Sequence, residues 1–325
     1  MKSLAQCART ALIAAAATVA VATGPASAAT KMQMVVFGPP SLGAFLPPII
    51  DKHDFDEKNG LELEFVERPP GAYNTQFNSG EFKLGGSAAL LSVANAKLRG
   101  VDVVYLFNIF DYFGVVVTDN PDIKSLEDLK GKTVAAATAT TNYAMFRWLL
   151  QKQGIDADEL EVVNTAPPGL ISYMLAGRAD AVQLWEPAYS VLEARKPGIR
   201  ALDLKVEETW KSFANSDRIP YLGVAAHADW AKEHADDIPA LIKTYQDAAE
   251  WVLANPDEAA EIIAGGIKGG DASVIAKLIR DNGRLALQVV PAAELSSEIT
   301  AVFEAGVDLG YLGEMPDTSI IFQPN

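Results

Sequence analysis

Between Ser125 and Pro187 the chain switches repeatedly between short apolar runs and amphipathic stretches, and each apolar run ends in polar or aromatic residues. Ser125-Leu-Glu-Asp-Leu-Lys-Gly131 leads into the apolar run Val134 to Ala137, which breaks at Thr138-Ala-Thr-Thr-Asn142. An amphipathic segment follows from Tyr143 to Gln153, and the stretch closes with Gly177-Arg-Ala-Asp180-Ala-Val-Gln-Leu-Trp185-Glu186-Pro187. The order is strand, polar turn, helix, strand, helix, strand. Such units build open α/β sheets, whose ligands sit beyond the carboxyl ends of the strands and beside helix N-termini. The stretch therefore predicts one half of a ligand cleft.

The rest of the chain supplies the other half. Lys31 to Phe37 and Leu61 to Val66 alternate as strands, with a helix expected from Leu42 to His53 and a short one from Tyr73 to Ser79. Phe82 to Leu84 predicts a brief strand. Gly85-Gly86-Ser87 then leads to a helix over Ala88 to Leu98, and Val101 to Phe107 to a buried strand. Val115 to Val117 follows with no helix between the two strands, and Arg218 to Ala225 is a second strand without a helical partner. These interruptions predict crossovers between two lobes, with 29–110 and 223–325 forming lobe 1 and 111–222 forming lobe 2. From Ala228 onward only helices are expected. Starts are marked by Asn255-Pro256-Asp257-Glu258 and by Asp271, and a last helix runs from Ala292 to Leu309.

Residues 1–28 read as a cleavable secretory signal. Lys2 and Arg9 precede an uncharged small-residue run from Ala11 to Val21, and Ala26-Ser27-Ala28 is an A-x-A cleavage site. The run is far shorter than the roughly 20 residues of a membrane span. Cleavage removes Cys7, the only cysteine, and takes the formal charge from −15 to −17 by loss of Lys2 and Arg9. An exported chain of this length without disulfides must rest on a large core. Its acidity argues against nucleic acid and anionic membrane as partners.

No catalytic group asserts itself. His53, His227 and His234 lack metal-ligand spacing, Gly86-Ser87-Ala88 lacks the second glycine of a nucleophile elbow, and the Gly265–Gly270 run falls between helices rather than after a strand. No cofactor is expected. Candidate ligand contacts are the polar and aromatic residues at strand ends: Ser41, Ser87, Thr140, Thr141 and Asn142, with Phe110, Asp111 and Tyr112 at the first crossover and Tyr221 at the second. Hydroxyls and free N–H groups at a helix start suit an anionic or polar head group, although ordinary N-capping would use the same residues. Trp185 and Glu186 add a carboxylate beside an aromatic face, and Asp111 another. That chemistry suits an amine or guanidinium, and the alternative for Glu186 is an ion pair with a basic residue such as Arg147 or Arg178.

The motifs Asn59-Gly60-Leu61-Glu62-Leu63, Ser125-Leu-Glu-Asp-Leu-Lys-Gly-Lys132, Gly177-Arg-Ala-Asp180-Ala with Trp185-Glu-Pro187, and Asn255-Pro-Asp-Glu-Ala-Ala resemble those of periplasmic solute-binding proteins. The resemblance is to the nitrate, sulfonate and taurine group, which includes thiamine-pyrimidine binders, and it covers nearly the whole mature chain. It implies a two-lobed α/β fold with a central cleft and a two-strand crossover hinge. It also implies a periplasmic monomer that hands a small molecule to an inner-membrane permease and ATPase, and ligand contacts at Ser41, Ser87, Phe110, Asp111, Thr140, Thr141, Asn142, Trp185 and Glu186. The chain departs from the group at Gly80-Glu-Phe-Lys83, where relatives carry Asp, and has no arginine plainly placed for a simple anion; Arg147 lies inside a helix. A taurine-like zwitterion or a nitrogen cation is therefore expected. Sulfonate, nitrate or pyrimidine binding is the alternative, ahead of a pyrimidine-forming or hydrolytic enzyme on the same fold. The pyrimidine-forming relatives use a cysteine-rich motif that the mature chain lacks.

Overall fold

The computed structural model describes residues 29–324; the expected signal segment lies outside them. Among the described residues eleven strands form two sheets. The first contains β1 (Thr30–Phe37), β2 (Leu61–Arg68), β3 (Leu84–Ala89), β4 (Val103–Asp111), β10 (Pro220–His227) and β11 (Leu287–Pro291), in the order β11-β4-β10-β3-β1-β2. The second contains β5 (Val115–Thr118), β6 (Thr133–Ala136), β7 (Glu161–Asn164), β8 (Ala181–Leu184) and β9 (Arg200–Leu202), in the order β7-β6-β8-β5-β9. β1 runs parallel to β2 and β3, while β10 is antiparallel to β3 and β4. The carboxyl ends of β1, β3 and β4 thus share one edge. In the second sheet β6 runs parallel to β7 and β8, which likewise end together.

Helices cover both faces of the first sheet. Ile49, Ile50, Leu241, Tyr245, Val252, Ile263 and Ile279 bury one face, under the helices Pro47–His53, Ile238–Ala254, Pro256–Gly265 and Ala272–Arg280. Tyr73, Phe77, Leu91, Val93, Ile299 and Val302 bury the other, under Pro70–Asn78, Leu90–Leu98 and Ser296–Asp308. The second sheet is covered by Thr141–Lys152, Pro167–Leu175 and Ala188–Arg195, with Phe146, Leu150, Leu170, Met174 and Leu192 buried. The chain crosses between the sheets twice, through 112–114 and through 203–219, and all of β10 belongs to the first sheet.

Three local expectations need correction. Gly85, Gly86 and Ser87 lie inside β3 rather than leading into a helix, which starts only at Leu90. Here glycine marks close approach rather than a turn: a Cβ on Gly86 would sit 2.4 Å from Met34 Sδ. β4 continues to Asp111, so Phe110 and Asp111 belong to a strand. Finally, the carboxyl-terminal third is not all helix. β11 adds an edge strand antiparallel to β4, where Pro291, lacking an N–H, is tolerated.

Candidate functional site

The site is assembled where the two crossovers meet the facing sheet edges. Asp111 ends β4, and Arg218 stands two residues before β10. Arg218 grips the Asp111 carboxylate with both ends of its fork, Nε to Oδ2 at 2.8 Å and Nη2 to Oδ1 at 3.1 Å. Asn108 Nδ2 donates to Asp111 Oδ1 at 2.8 Å, while Asn108 Oδ1 accepts from the Tyr105 hydroxyl and from the Tyr221 amide. Burial lifts the Asp111 carboxyl above its usual range, and Arg218 and Asn108 pull it part of the way back. The pair ties the outgoing crossover to the returning one.

Just beyond lies a second buried network. Asn142, fully buried in the first turn of Thr141–Lys152, donates through Nδ2 to the Phe113 carbonyl at 3.0 Å and accepts from Gln183 Nε2 at 2.7 Å. The Tyr221 ring lies edge-on to Tyr112, and its hydroxyl neighbours Thr141 and Asn142. Burial raises the Tyr221 pKa, partly countered by those two neighbours. Gly114 leaves room for this meeting, since a Cβ there would fall 2.1 Å from Tyr112 Oη and 3.1 Å from Asn142 Oδ1. Tyr112, Thr141, Asn142 and Tyr221 thus come together at the lobe junction, with Asp111 alongside.

Other candidates are engaged locally. The Ser41 hydroxyl accepts from Gly43 N and caps the turn Leu42–Ala44; Thr140 caps Thr141–Lys152 by accepting from Tyr143 N. Ser87, fully buried, accepts from Phe37 N at 2.8 Å across the sheet. Phe110 points away from Asp111 into the core, edge-on to Phe45 at 6.4 Å. Trp185 is half-buried and packs against the second lobe's cluster.

Glu186 is fully buried and ion-paired, but with neither basic residue expected. Arg147 pairs instead with Asp158. Arg284, in the short helix Asn282–Leu285 of the first lobe, donates to Glu186 Oε1 from Nε at 2.9 Å and from Nη2 at 2.6 Å. The other carboxylate oxygen accepts from Ser190 N at 3.0 Å. Burial raises the Glu186 carboxyl, and Arg284 offsets part of that rise. Arg284, Arg218, Asn108 and Gln183 were the residues missed. Asn108 and Gln183, polar residues inside the apolar runs of β4 and β8, left a trace in the sequence; the two arginines did not.

A cavity of about 200 Å³ opens beside the junction, between Pro70–Asn78 and Leu90–Leu98. Asn74, Asn78, Ser92, Asn95 and Arg99 line it with Ala88 and Ala89, and the second lobe contributes Ala139. The spacing Asn74/Asn78 and Ser92/Asn95/Arg99 puts one stripe on each helix. None of these five polar side chains hydrogen-bonds or ion-pairs with another described residue. Among the described residues no group of three or more His, Cys, Asp or Glu could hold a metal ion, and no helix is long and apolar enough to cross a membrane.

The profile of a family described as NMT1/THI5 like matches residues 51–259, a span that includes both crossovers. The chain belongs to the NMT1/THI5-like family. It is 27% identical over 206 residues to the taurine-binding periplasmic protein of Escherichia coli K12, covering 62% of this chain and 61% of that one. Among solved structures, the periplasmic aliphatic sulphonate binding protein SsuA of E. coli superposes with a TM-score of 0.72 at 19% identity, over 90% of this chain and 96% of the other. The alkanesulfonate-binding SsuA of Xanthomonas axonopodis pv. citri, bound to MOPS, gives 0.69 at 16% identity, with 90% and 96% covered. At those identities the likeness is one of fold, the two-lobed periplasmic binding protein fold.

Proposed function

We propose that this NMT1/THI5-like protein is the periplasmic solute-binding component of an ABC importer and not an enzyme. It acts as a monomer, encloses a small solute between its lobes and delivers it to an inner-membrane permease and ATPase. The two-lobed fold with paired crossovers and the taurine-binding relative support this reading. For the ligand we infer a small sulfonate-bearing anion or a taurine-like zwitterion. One observation carries that choice: both carboxylates expected to attract a nitrogen cation already hold an arginine, Asp111 with Arg218 and Glu186 with Arg284. The uncommitted groups lie instead in the cavity, where Arg99, three amides and Ser92 offer donors and Ala139, two residues before the helix Thr141–Lys152, adds to the lining. At about 200 Å³ the space suits a solute smaller than the drug-sized ligands of ~300–1,000 Å³ pockets.

Calorimetry and thermal shift with taurine, ethanesulfonate, ethylamine and guanidinium test the proposal. A sulfonate at 100 times its dissociation constant is expected to stabilise the protein by about 2.7 kcal/mol. Arg99→Gln is expected to weaken that binding about tenfold. Binding of ethylamine or guanidinium without any sulfonate would overturn the ligand class, and silence across a wider panel of small solutes would overturn solute binding.

A further inference from the structure

Besides the crossovers, the lobes touch on both faces of the first sheet. On one face Trp148 of the second lobe is fully buried against Trp210 and Phe213, and its indole N–H reaches Asp308 at 2.9 Å. On the other face the contact is Arg284. Its guanidinium holds Glu186, reaches Ser190 Oγ at 3.1 Å and Glu193 Oε2 at 3.3 Å, and lies 4.2 Å over the Tyr189 ring. Tyr189 in turn stacks on Phe113, in the first crossover, at 6.4 Å. All four partners of Arg284 belong to the second lobe, while Arg284 sits on the first-lobe core through Leu285.

We propose that Arg284 is a positioning residue for solute capture: by neutralising the buried Glu186 across the cleft it sets how much of the protein is closed without ligand, and how long a bound solute stays. The proposal rests on the reading of the lobes as a closing pair. A fully buried carboxylate with only the amide and hydroxyl of Ser190 left to it, and no positive charge, is costly, so without Arg284 the arrangement that buries Glu186 is disfavoured. If the lobes part, Glu186 can be hydrated. The value of the pair therefore appears in the balance of closed and open forms more than in folding of either lobe. The neighbouring Lys277–Glu193 pair, with side chains 74% and 35% exposed, contributes little by comparison. Arg284 also suits the role geometrically, since its planar fork and its stacking on Tyr189 are features a lysine does not reproduce.

The test uses a chain without Cys7, whose described residues contain no cysteine, so that one label can be placed on each lobe at the exposed positions Thr75→Cys and Pro168→Cys. Pulsed EPR then gives the interlobe distance distribution of the ligand-free protein. The parent is expected to populate a short distance, and Arg284→Gln to shift the ratio of short to long by about tenfold or more. The Glu186→Gln/Arg284→Gln double variant should recover part of the short population, because no unpaired carboxylate is buried. With taurine as probe, dissociation should be about tenfold faster in Arg284→Gln with association little changed. A parent that is wholly open, or a folded Arg284→Gln with an unchanged distribution, overturns the proposal. A lowered Tm with unchanged distances assigns Arg284 a purely structural role and overturns it too. If Arg284→Gln fails to fold, Arg284→Lys replaces it and must show an intermediate shift. Failure of taurine to bind the parent would count against the ligand class alone, since the distance measurement needs no ligand.

Discussion

Replacing Asp111 by alanine is the most direct probe of the hinge. The substitution removes both bonds from Arg218 and the bond from Asn108, and leaves a guanidinium that is only 20% exposed beside an empty position. Losing one partner of a fully buried pair costs about 3–5 kcal/mol, and the partial exposure of Arg218 lets water return some of that, so about 2–3 kcal/mol is expected. At roughly 2 °C per kcal/mol for a chain of this size, Tm should fall by about 4–6 °C. Asp111→Asn should fall in between, since it keeps a hydrogen-bonding oxygen without the charge. Differential scanning calorimetry of Asp111→Ala, Arg218→Ala and the double variant measures the effect, with a coupling of about 1.5–3 kcal/mol expected between the two sites. A single-variant loss below ~0.5 kcal/mol, or additive singles, would refute the view that this pair joins the crossovers.

Two further outcomes follow from particular positions. Partial desolvation, and then the charge of Asp56, raise the Asp51 carboxyl from 3.8 to about 6. The folded form therefore binds more protons than the unfolded chain between those values, and Asp51 stabilises least above pH 6. Asp51→Asn should thus raise Tm at pH 8 relative to the parent and lose that advantage at pH 4, by less than ~1 kcal/mol because the position is exposed; an equal gain at both pH values would contradict it. Gly114→Ala should destabilise by about 1–3 kcal/mol in urea unfolding, because its methyl group would meet Tyr112 Oη, whereas a neutral result would mean that the junction has slack.

The alternating strands β1 and β2, the bare passage from β4 to β5 and the helix starts at Thr140, Pro256 and Asp271 were legible because each depends on neighbours within a few residues. β3 was legible only at its start, Leu84. Gly86 serves packing partners far along the chain, Met34 and Tyr245, and Gly85 meets Tyr73 and Phe77, yet the pair looks locally like a turn. The aromatic and polar residues gathered at the crossovers were also legible, since strand ends announce themselves. What those residues hold was not: Glu186 meets a residue 98 positions away and Asp111 one 107 away, and no local pattern distinguishes Arg284 or Arg218 from other surface arginines. The expected cation preference assumed that an acid at a strand end is free, and both acids here are paired with an arginine.

The position of β10 between β3 and β4 bears on how the chain assembles. Every strand of the second sheet lies within residues 115–202, so that lobe can form from one continuous stretch. The first sheet must wait. Until Pro220–His227 has been synthesised, β3 and β4 lack the strand that joins them, and each presents an open edge that would pair with any exposed strand it met. A chain cut short before Pro220 would therefore carry a finished second lobe on an unfinished, aggregation-prone first one.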